Sequence, residues 1–280
     1  MKAAVVGHLE WVEFLRVPRL PKPGDIIHAT EWWQEPAGGG PAAAEQMRKL
    51  GAETWFFTAL GDDELGHRSL DELSRRGLNV HAAFRDDPTR RAVTHVDAKG
   101  ERTITVIGER LAARSEDDLP WHLLADMDAV YFTAGDSGAL RYAREAAVLT
   151  ATARTLDVLT SAPIKLDALV GSRVDPGERF RINDLDIPPK LAVWTDGERG
   201  GSFVGDGVHG TYEPQALPGP VVDRYGAGDA FAAGLTVGLG WGMPLADALV
   251  LGARCGAAVV TGRGPYEGQL QIGENNSRGP

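Results

Sequence analysis

The 280-residue chain has a single cysteine, Cys255, so no disulfide can form within it. Cys255 lies in an apolar pattern, and the expectation for it is a buried inert thiol rather than a nucleophile. Long apolar runs are missing: none reaches the ~20 residues that a helix needs to span a bilayer, so no membrane partner is expected. The opening run Met1–Gly7 turns polar too soon for a signal peptide and reads as a first core strand, which favours a cytoplasmic protein. Positive charge is in deficit, with 29 Lys+Arg against 39 Asp+Glu and a net charge of −10. That speaks against nucleic-acid binding, which needs a basic footprint, but leaves room for one local anion site. The seven histidines show no metal-ligand spacing, which disfavours a zinc enzyme. No Gly-x-x-x-x-Gly-Lys-Ser/Thr segment is read, nor a Gly-x-Gly-x-x-Gly after a strand, so P-loop and dinucleotide readings fall away.

Short apolar runs alternate with helical patterns along most of the chain. Ala3–Val6, Trp55–Leu60, Ala129–Thr133, Leu156–Thr160 and Leu191–Thr195 read as strands. Ala42–Leu50, Glu64–Arg76, Ala139–Ala153 and Ala230–Leu239 read as helices. Such alternation predicts an α/β fold with a mainly parallel sheet. Two stretches interrupt it. Residues 12–35 are rich in Pro, Trp and charge, and 90–107 read as a hairpin around Asp97-Ala98-Lys99-Gly100. Together they could form a small lid, or else edge strands of the main sheet. The expected unit is a single domain, 1–266, followed by a loose polar tail, 267–280.

The segment from Val221 to Phe231 carries the chemistry. Gly226-Ala227-Gly228 permits a tight turn, and an amphipathic helix begins at once. The first N–H groups of such a helix lack partners and lie at the positive end of its dipole, which suits an anion such as a phosphoryl group. Asp229 sits in the first turn. It could cap the helix, or it could take a proton from a substrate hydroxyl; the residues alone leave both open.

Gly226-Ala227-Gly228-Asp229-Ala230-Phe231, preceded by Asp223, resembles the C-terminal signature of the ribokinase-like (PfkB) carbohydrate kinases. Val5-Val6-Gly7, Gly38-Gly39-Gly40 before Ala42–Leu50, Gly61-Asp62-Asp63-Glu64-Leu65-Gly66 and Thr195-Asp196-Gly197-Glu198-Arg199-Gly200 resemble other elements of that family, in the same order. The resemblance covers roughly Lys2 to Gly264. It implies a three-layer α/β/α ribokinase-like fold with a small β lid, ATP as donor, Mg2+, and a sugar or sugar-like acceptor. It implies Asp229 as general base and the N–H groups of Gly226, Ala227 and Gly228 as anion hole. Thr195, Gly197, Gly200 and Arg224 would serve the nucleotide, and Gly38, Gly39 and Gly40 the acceptor. Monovalent-cation dependence stays open, and lids of this family sometimes pair across a homodimer.

The departures lie on the acceptor side. Where the family carries an Asn after the glycines, this chain has Pro41-Ala42-Ala43-Ala44, and Val12 stands nearest the place of an acceptor-binding Asp. Glu10 or Glu13 could substitute. The Asn-x-x-Glu element that organises Mg2+ through water is blurred, leaving Asp175 or Asp186 for it. Arg224 replaces the usual Thr and could contact a phosphate or pair with a surface acid. Trp11, Trp32 and Trp33 could stack on a sugar or a nucleobase, or simply pack the lid. A nucleoside kinase, or a ligand-binding relative with weak catalysis, are the alternatives.

Overall fold

The computed structural model describes residues 1–205 and 207–272. In chain order the elements are β1 (Lys2–Val6), β2 (Glu10–Arg16), β3 (Glu31–Ala37), α1 (Gly39–Lys49), β4 (Glu53–Gly61), α2 (Glu64–Arg75), β5 (Asn79–Arg85), β6 (Arg91–Val96) and β7 (Arg102–Ile107). There follow β8 (Ala129–Phe132), α3 (Ser137–Ala143), β9 (Val148–Thr152), α4 (Leu156–Ser161), β10 (Ala168–Ser172), β11 (Leu191–Thr195), β12 (Gly201–Gly205), β13 (Val208–Tyr212), α5 (Ala227–Gly240) and α6 (Leu245–Val259). They form a nine-stranded sheet, β13-β12-β11-β10-β9-β8-β1-β4-β5, and a four-stranded sheet, β3-β2-β6-β7. The large sheet is parallel from β5 to β11, and β12 and β13 add an antiparallel edge.

Strand β1 shows why the body has three layers. Its side chains alternate: Ala3 and Val5 enter the core beneath α1, α5 and α6, while Ala4 and Val6 enter the core on the α3 side. All four are fully buried, as expected for a parallel strand covered on both faces. The two cores meet only through the sheet, and each large side chain buried in them contributes about 1.5–3 kcal/mol.

The sheet order positions the site. From β1 the chain builds outward to β4 and β5, then returns to β8 on the other side of β1 and continues to β9, β10 and β11. The carboxyl ends of β1 and β8 therefore flank a crevice at the point where the order reverses, the place where open α/β sheets take ligands.

The helix expected over Ala139–Ala153 is two elements. It ends at Ala143, and Val148–Thr152 is β9, hydrogen-bonded between β8 and β10. A strand buried on both faces has no polar alternation, so an alanine-rich run reads the same either way. The strand expected over Leu156–Thr160 is helix α4. Helix α6 follows α5 directly and packs on it through Gly252, over which the Phe231 carbonyl lies. Contrary to expectation, a Gly-x-Gly-x-x-Gly pattern does follow a strand: Gly205, Gly207 and Gly210 start at the end of β12, but they lead into β13 rather than a helix and so carry no dinucleotide reading.

Segments 12–35 and 90–107 join in the separate small sheet rather than extending the large one. The tail is not loose from 267: Gln269 is buried and donates to the Ala42 carbonyl, and Gln46 donates to the Leu270 carbonyl. Residues 273–280 lie outside the described residues.

Candidate active site

Gly226 takes φ 78°, a left-handed conformation that glycine adopts without strain, and it starts α5. Its carbonyl accepts from Ala230 N–H at 2.8 Å. No side chain caps the helix, so the N–H groups of Ala227 and Gly228 point outward. The space over Gly228 is open, since a Cβ built there meets nothing within 4 Å. Asp223 holds this turn in shape. It is fully buried, and its carboxylate accepts from Tyr225 N–H at 2.8 Å and Gly264 N–H at 3.1 Å.

Asp229 does not cap its own helix. Its carboxylate reaches across to the start of α1, where a Cβ on Gly39 would lie 2.7 Å from Oδ1 and 3.1 Å from Thr133 Oγ1. Gly39 is thus glycine because a carboxylate occupies the space of its side chain. A Cβ on Gly40 would strike Phe56 at 2.5 Å and the His8 carbonyl at 2.6 Å. Two helix N-termini therefore converge on one carboxylate. Asp229 is half-buried, and its pKa is pushed up to about 7 by desolvation first and by Glu178 next, against Arg154 and Arg102.

Around it stand residues that the sequence did not single out. Thr133 follows β8 and His8 follows β1, both at the crevice. Tyr225 Oη accepts from Gly38 N–H at 3.1 Å and donates to Glu10 Oε1 at 3.4 Å, tying the turn to the diglycine segment and to the lid. Arg154 follows β9 and binds Asp175 at 2.6 Å and Glu178 at 2.8 Å. Arg102 reaches from β7 to donate to the Arg224 carbonyl at 2.7 Å. The signal for Thr133, His8 and Arg154 was their place at carboxyl ends of parallel strands; for Arg154 it was hidden while β9 read as helix.

The expected acceptor residues separate. Glu10 is buried on the inner face of the small sheet, 3.2 Å from Arg90, and desolvation raises its pKa against the pull of Arg90 and Tyr225. Glu13 is three residues away, so it points to the opposite face, where it pairs with Arg91 at 2.9 Å. Trp11 is fully buried beneath Arg68 of α2, 4.4 Å from ring centroid to guanidinium, and Trp32 is 59% exposed on that same outer face. Trp33 is on the inner face, stacked on Phe14 at 4.8 Å, and Phe14 meets Tyr225 edge-on at 5.1 Å.

On the nucleotide side, Thr195 ends β11 and donates to the Gly171 carbonyl at 3.2 Å. Gly197 turns with φ 58° into open space. Gly200 answers to packing instead, since a Cβ would lie 2.1 Å from the Tyr212 carbonyl. Arg224 is paired with Glu198 at 2.7 Å and Glu101 at 2.9 Å, so it joins the Thr195–Gly200 turn, the small sheet and the Gly226–Asp229 turn. Asp175 belongs to the cluster around Arg154; Asp186 stands exposed beyond the Ile182–Asp184 turn. Among the described residues no three His, Cys, Asp or Glu side chains gather to hold a metal. A hollow of about 680 Å3, lined by Ser172, Phe180, Trp194 and neighbours, opens beside β10 and β11 in the other helical layer and contains none of these groups.

The pfkB family carbohydrate kinase profile matches residues 1–170 and 137–272. The acarbose 7(IV)-phosphotransferase of Actinoplanes sp. is 30% identical over 272 residues, covering 88% of this chain and 87% of that protein. The bifunctional ribokinase/ribose-5-phosphate isomerase A of Fructilactobacillus sanfranciscensis is 27% identical over 260 residues, covering 84% of this chain and 48% of that protein, so the chain spans about half its length. The crystal structure of a ribokinase from Thermotoga maritima superposes with a TM-score of 0.76 at 19% identity, covering 96% of both chains; that likeness is one of fold. With a profile match over nearly its whole length, the chain belongs to the pfkB family of carbohydrate kinases.

Proposed function

We propose that the protein transfers the γ-phosphoryl group of ATP to a hydroxyl of a sugar or sugar-like molecule bound between the small sheet and α1. Asp229 Oδ takes the hydroxyl proton as the oxygen attacks phosphorus, and the bond to the ADP oxygen breaks in line. The N–H groups of Gly226, Ala227 and Gly228 hold the charge on the transferring group, with the Arg102 guanidinium nearby. The observation that carries this reading is Asp229: first turn of an uncapped helix, half-buried, raised to about 7, and facing Gly39 instead of its own N–H groups. A base near neutrality is ready both to accept and to release a proton.

Mg2+ suits the residues present. Such an ion keeps several waters and is held by substrate phosphates with one or two carboxylates. Asp175 and Glu178, already oriented by Arg154, would accept from its water shell. Bound there, it would neutralise charge on the phosphates. Thr195 and Gly197 would border the nucleotide. The protein is proposed to work in the cytoplasm and to form a homodimer through β7, an edge strand whose six residues are all exposed.

The relatives' names span different acceptors, among them ribose and acarbose, so the test is a panel. ADP release from MgATP is measured over sugars, polyols and nucleosides, with and without K+, beside Asp229→Asn. Loss of ~10²–10⁴-fold in kcat is the expected result. Full activity in the variant would sink the mechanism. Tight ligand binding without turnover on any acceptor would favour a binding protein. The nucleoside alternative draws no support from Trp11 and Trp32, whose rings lie away from Asp229's side of the lid.

A further inference from the structure

Val12 and Ala42, Ala43 and Ala44 stand where the family resemblance implies a carboxylate and a carboxamide for sugar hydroxyls, and all four are fully buried. Two other polar side chains converge on that end of the crevice, both over Gly38. A Cβ on Gly38 would lie 3.4 Å from His8 Nε2 and 3.5 Å from Glu10 Cγ. Gly38 takes φ 99°, and no side chain of its own fills the space between the imidazole and the glutamate. His8 is held there by its backbone. It follows β1, its carbonyl accepts from Gly40 N–H at 3.3 Å, and a Cβ on Gly40 would lie 2.6 Å from the same oxygen. Between those two glycines is Gly39, against which the Asp229 carboxylate lies. One run of three glycines therefore carries His8 and Glu10 beside Asp229.

The imidazole is 8% exposed, and its Nδ1 is enclosed with no hydrogen-bond partner. Nε2, which also has no partner among the described residues, faces the space over Gly38. A buried polar ring with both nitrogens unmet is costly unless something pairs with it. Burial lowers its pKa to about 3, so the ring is neutral at working pH, with one nitrogen a donor and the other an acceptor. Nothing beside Nδ1 would take a proton's hydrogen bond, so the proton is assigned to Nε2 from the partners present. Glu10 keeps spare capacity: Oε1 accepts from Tyr225 Oη at 3.4 Å and Oε2 lies 3.2 Å from Arg90, out of roughly four acceptor positions on a carboxylate. An N–H donor and a carboxylate side by side match one chemical group, a hydroxyl, which accepts from the first and donates to the second. An ether or carbonyl oxygen would satisfy His8 alone.

We propose that His8 determines specificity for the sugar: its Nε2–H and the Glu10 carboxylate bracket one hydroxyl over Gly38, while the reacting hydroxyl lies further along the glycine run, at Asp229. The proposal rests on the reading that the sugar binds between the small sheet and α1; it does not rest on Asp229 as base.

The test compares D-ribose, D-fructose and D-glucose with their monodeoxy and mono-O-methyl analogues. Each is measured by ADP release with MgATP, and by calorimetric binding without nucleotide, on wild type, His8→Phe and His8→Gln. In wild type, the deoxy and O-methyl analogues at one position, distinct from the phosphorylated one, are expected to lose about 10- to 100-fold in kcat/KM. His8→Phe keeps a ring and removes its hydrogen bond. It is expected to raise KM for the parent sugar by about 10- to 100-fold, with the KM for ATP within a few-fold of wild type. It is also expected to shrink the penalty at that one position by about tenfold and to leave the penalties at other positions alone. His8→Gln, whose amide reaches the place of Nε2, recovers part of both. Thermal melts accompany the assays; if His8→Phe does not fold, His8→Asn, whose amide reaches only the place of Nδ1, carries the same comparison. An equal loss for parent and analogues in the variants would make His8 a packing residue and overturn the proposal. So would an unchanged KM for the parent sugar. Sugar binding that shows the single-position loss without any turnover would support His8 and overturn the kinase reading alone. Neither binding nor turnover of any sugar would overturn both.

Discussion

At the scale of a residue, Asp229 is a carboxylate held where it is costly to ionise. Its pKa rises from 3.8 to about 7, through burial first and through Glu178 second. Below about pH 4 the folded and unfolded chains both carry this proton. Between there and about pH 7 the unfolded chain has released it while the folded chain keeps it, so stability falls as pH rises through that window. Asp229→Asn should therefore unfold at higher temperature than wild type at about pH 8, by on the order of 2 kcal/mol, with no difference at about pH 4. Thermal melts at the two pH values check this; a variant less stable at the higher pH would contradict it. With Asp229 as the proposed base, the same shift would also set the rate: kcat/KM is expected to drop tenfold per unit on the acid side of about pH 7 in the free enzyme. On that proposal one group trades stability for reactivity, and the trade reads out in two independent measurements.

At the scale of an element, the small sheet is stitched to the Gly226–Asp229 turn. Arg16 donates to the Val222 carbonyl at 3.2 Å, Arg224 N–H to the Gly100 carbonyl at 3.1 Å, Arg102 to the Arg224 carbonyl at 2.7 Å, and Arg224 pairs with Glu101. Arg102 also lies close enough to Asp229 to pull its pKa down. Arg102→Gln is expected to lower kcat/KM by about tenfold and to move the acid limb of the pH profile upward, with Arg102→Lys restoring both. A lower rate with an unmoved limb would leave Arg102 a purely structural tie. None of this stitching was legible in the sequence, because it joins residues more than a hundred positions apart. The Gly226–Asp229 turn was legible through its resemblance to a family signature, since its residues alone left a helix cap open, and the hairpin of β6 and β7 was legible from pattern. The alternation of β1, β4, β8 and β11 was readable too, whereas β9 and α4 exchanged identities: apolar runs of that length carry no period that separates a buried strand from a short helix. Glu10 and Glu13 looked equivalent until the pleat placed them on opposite faces.

At the scale of the whole molecule, charge and edges set behaviour in solution. Strand β7 leaves one row of backbone groups unpaired, and Ile104, Val106 and Ile107 are 38%, 42% and 45% exposed beside it. Exposed edges of this kind pair with other strands. Sedimentation should show a dimer that tightens with added salt, because each chain carries −10 and repulsion opposes association. The double substitution Ile104→Lys/Ile107→Lys should sediment as a monomer; a wild-type monomer at every concentration and salt would refute pairing through β7.

The base of the lid has a different kind of attachment. Asp63 caps α2 through Gly66 N–H at 2.8 Å, and the same carboxylate takes both Thr89 N–H and Thr89 Oγ1 at 2.7 Å, just before Arg90. Gly61 and Gly66 close the gap, for a Cβ on either would lie 2.3 Å or less from backbone. Burial opposes the charge of Asp63, but those hydrogen bonds hold its pKa below the usual value, so the clasp is intact at neutral pH. The lid is thus clasped at one end and buttoned at the other. A swing about Asp63 and Thr89 that undid the buttons would release Arg16, Arg102 and Glu101 from the turn that shapes the anion hole. On the proposed kinase reading, product would leave and the Gly226–Asp229 turn would slacken in one motion, and bound ATP would then lack the geometry to react with water.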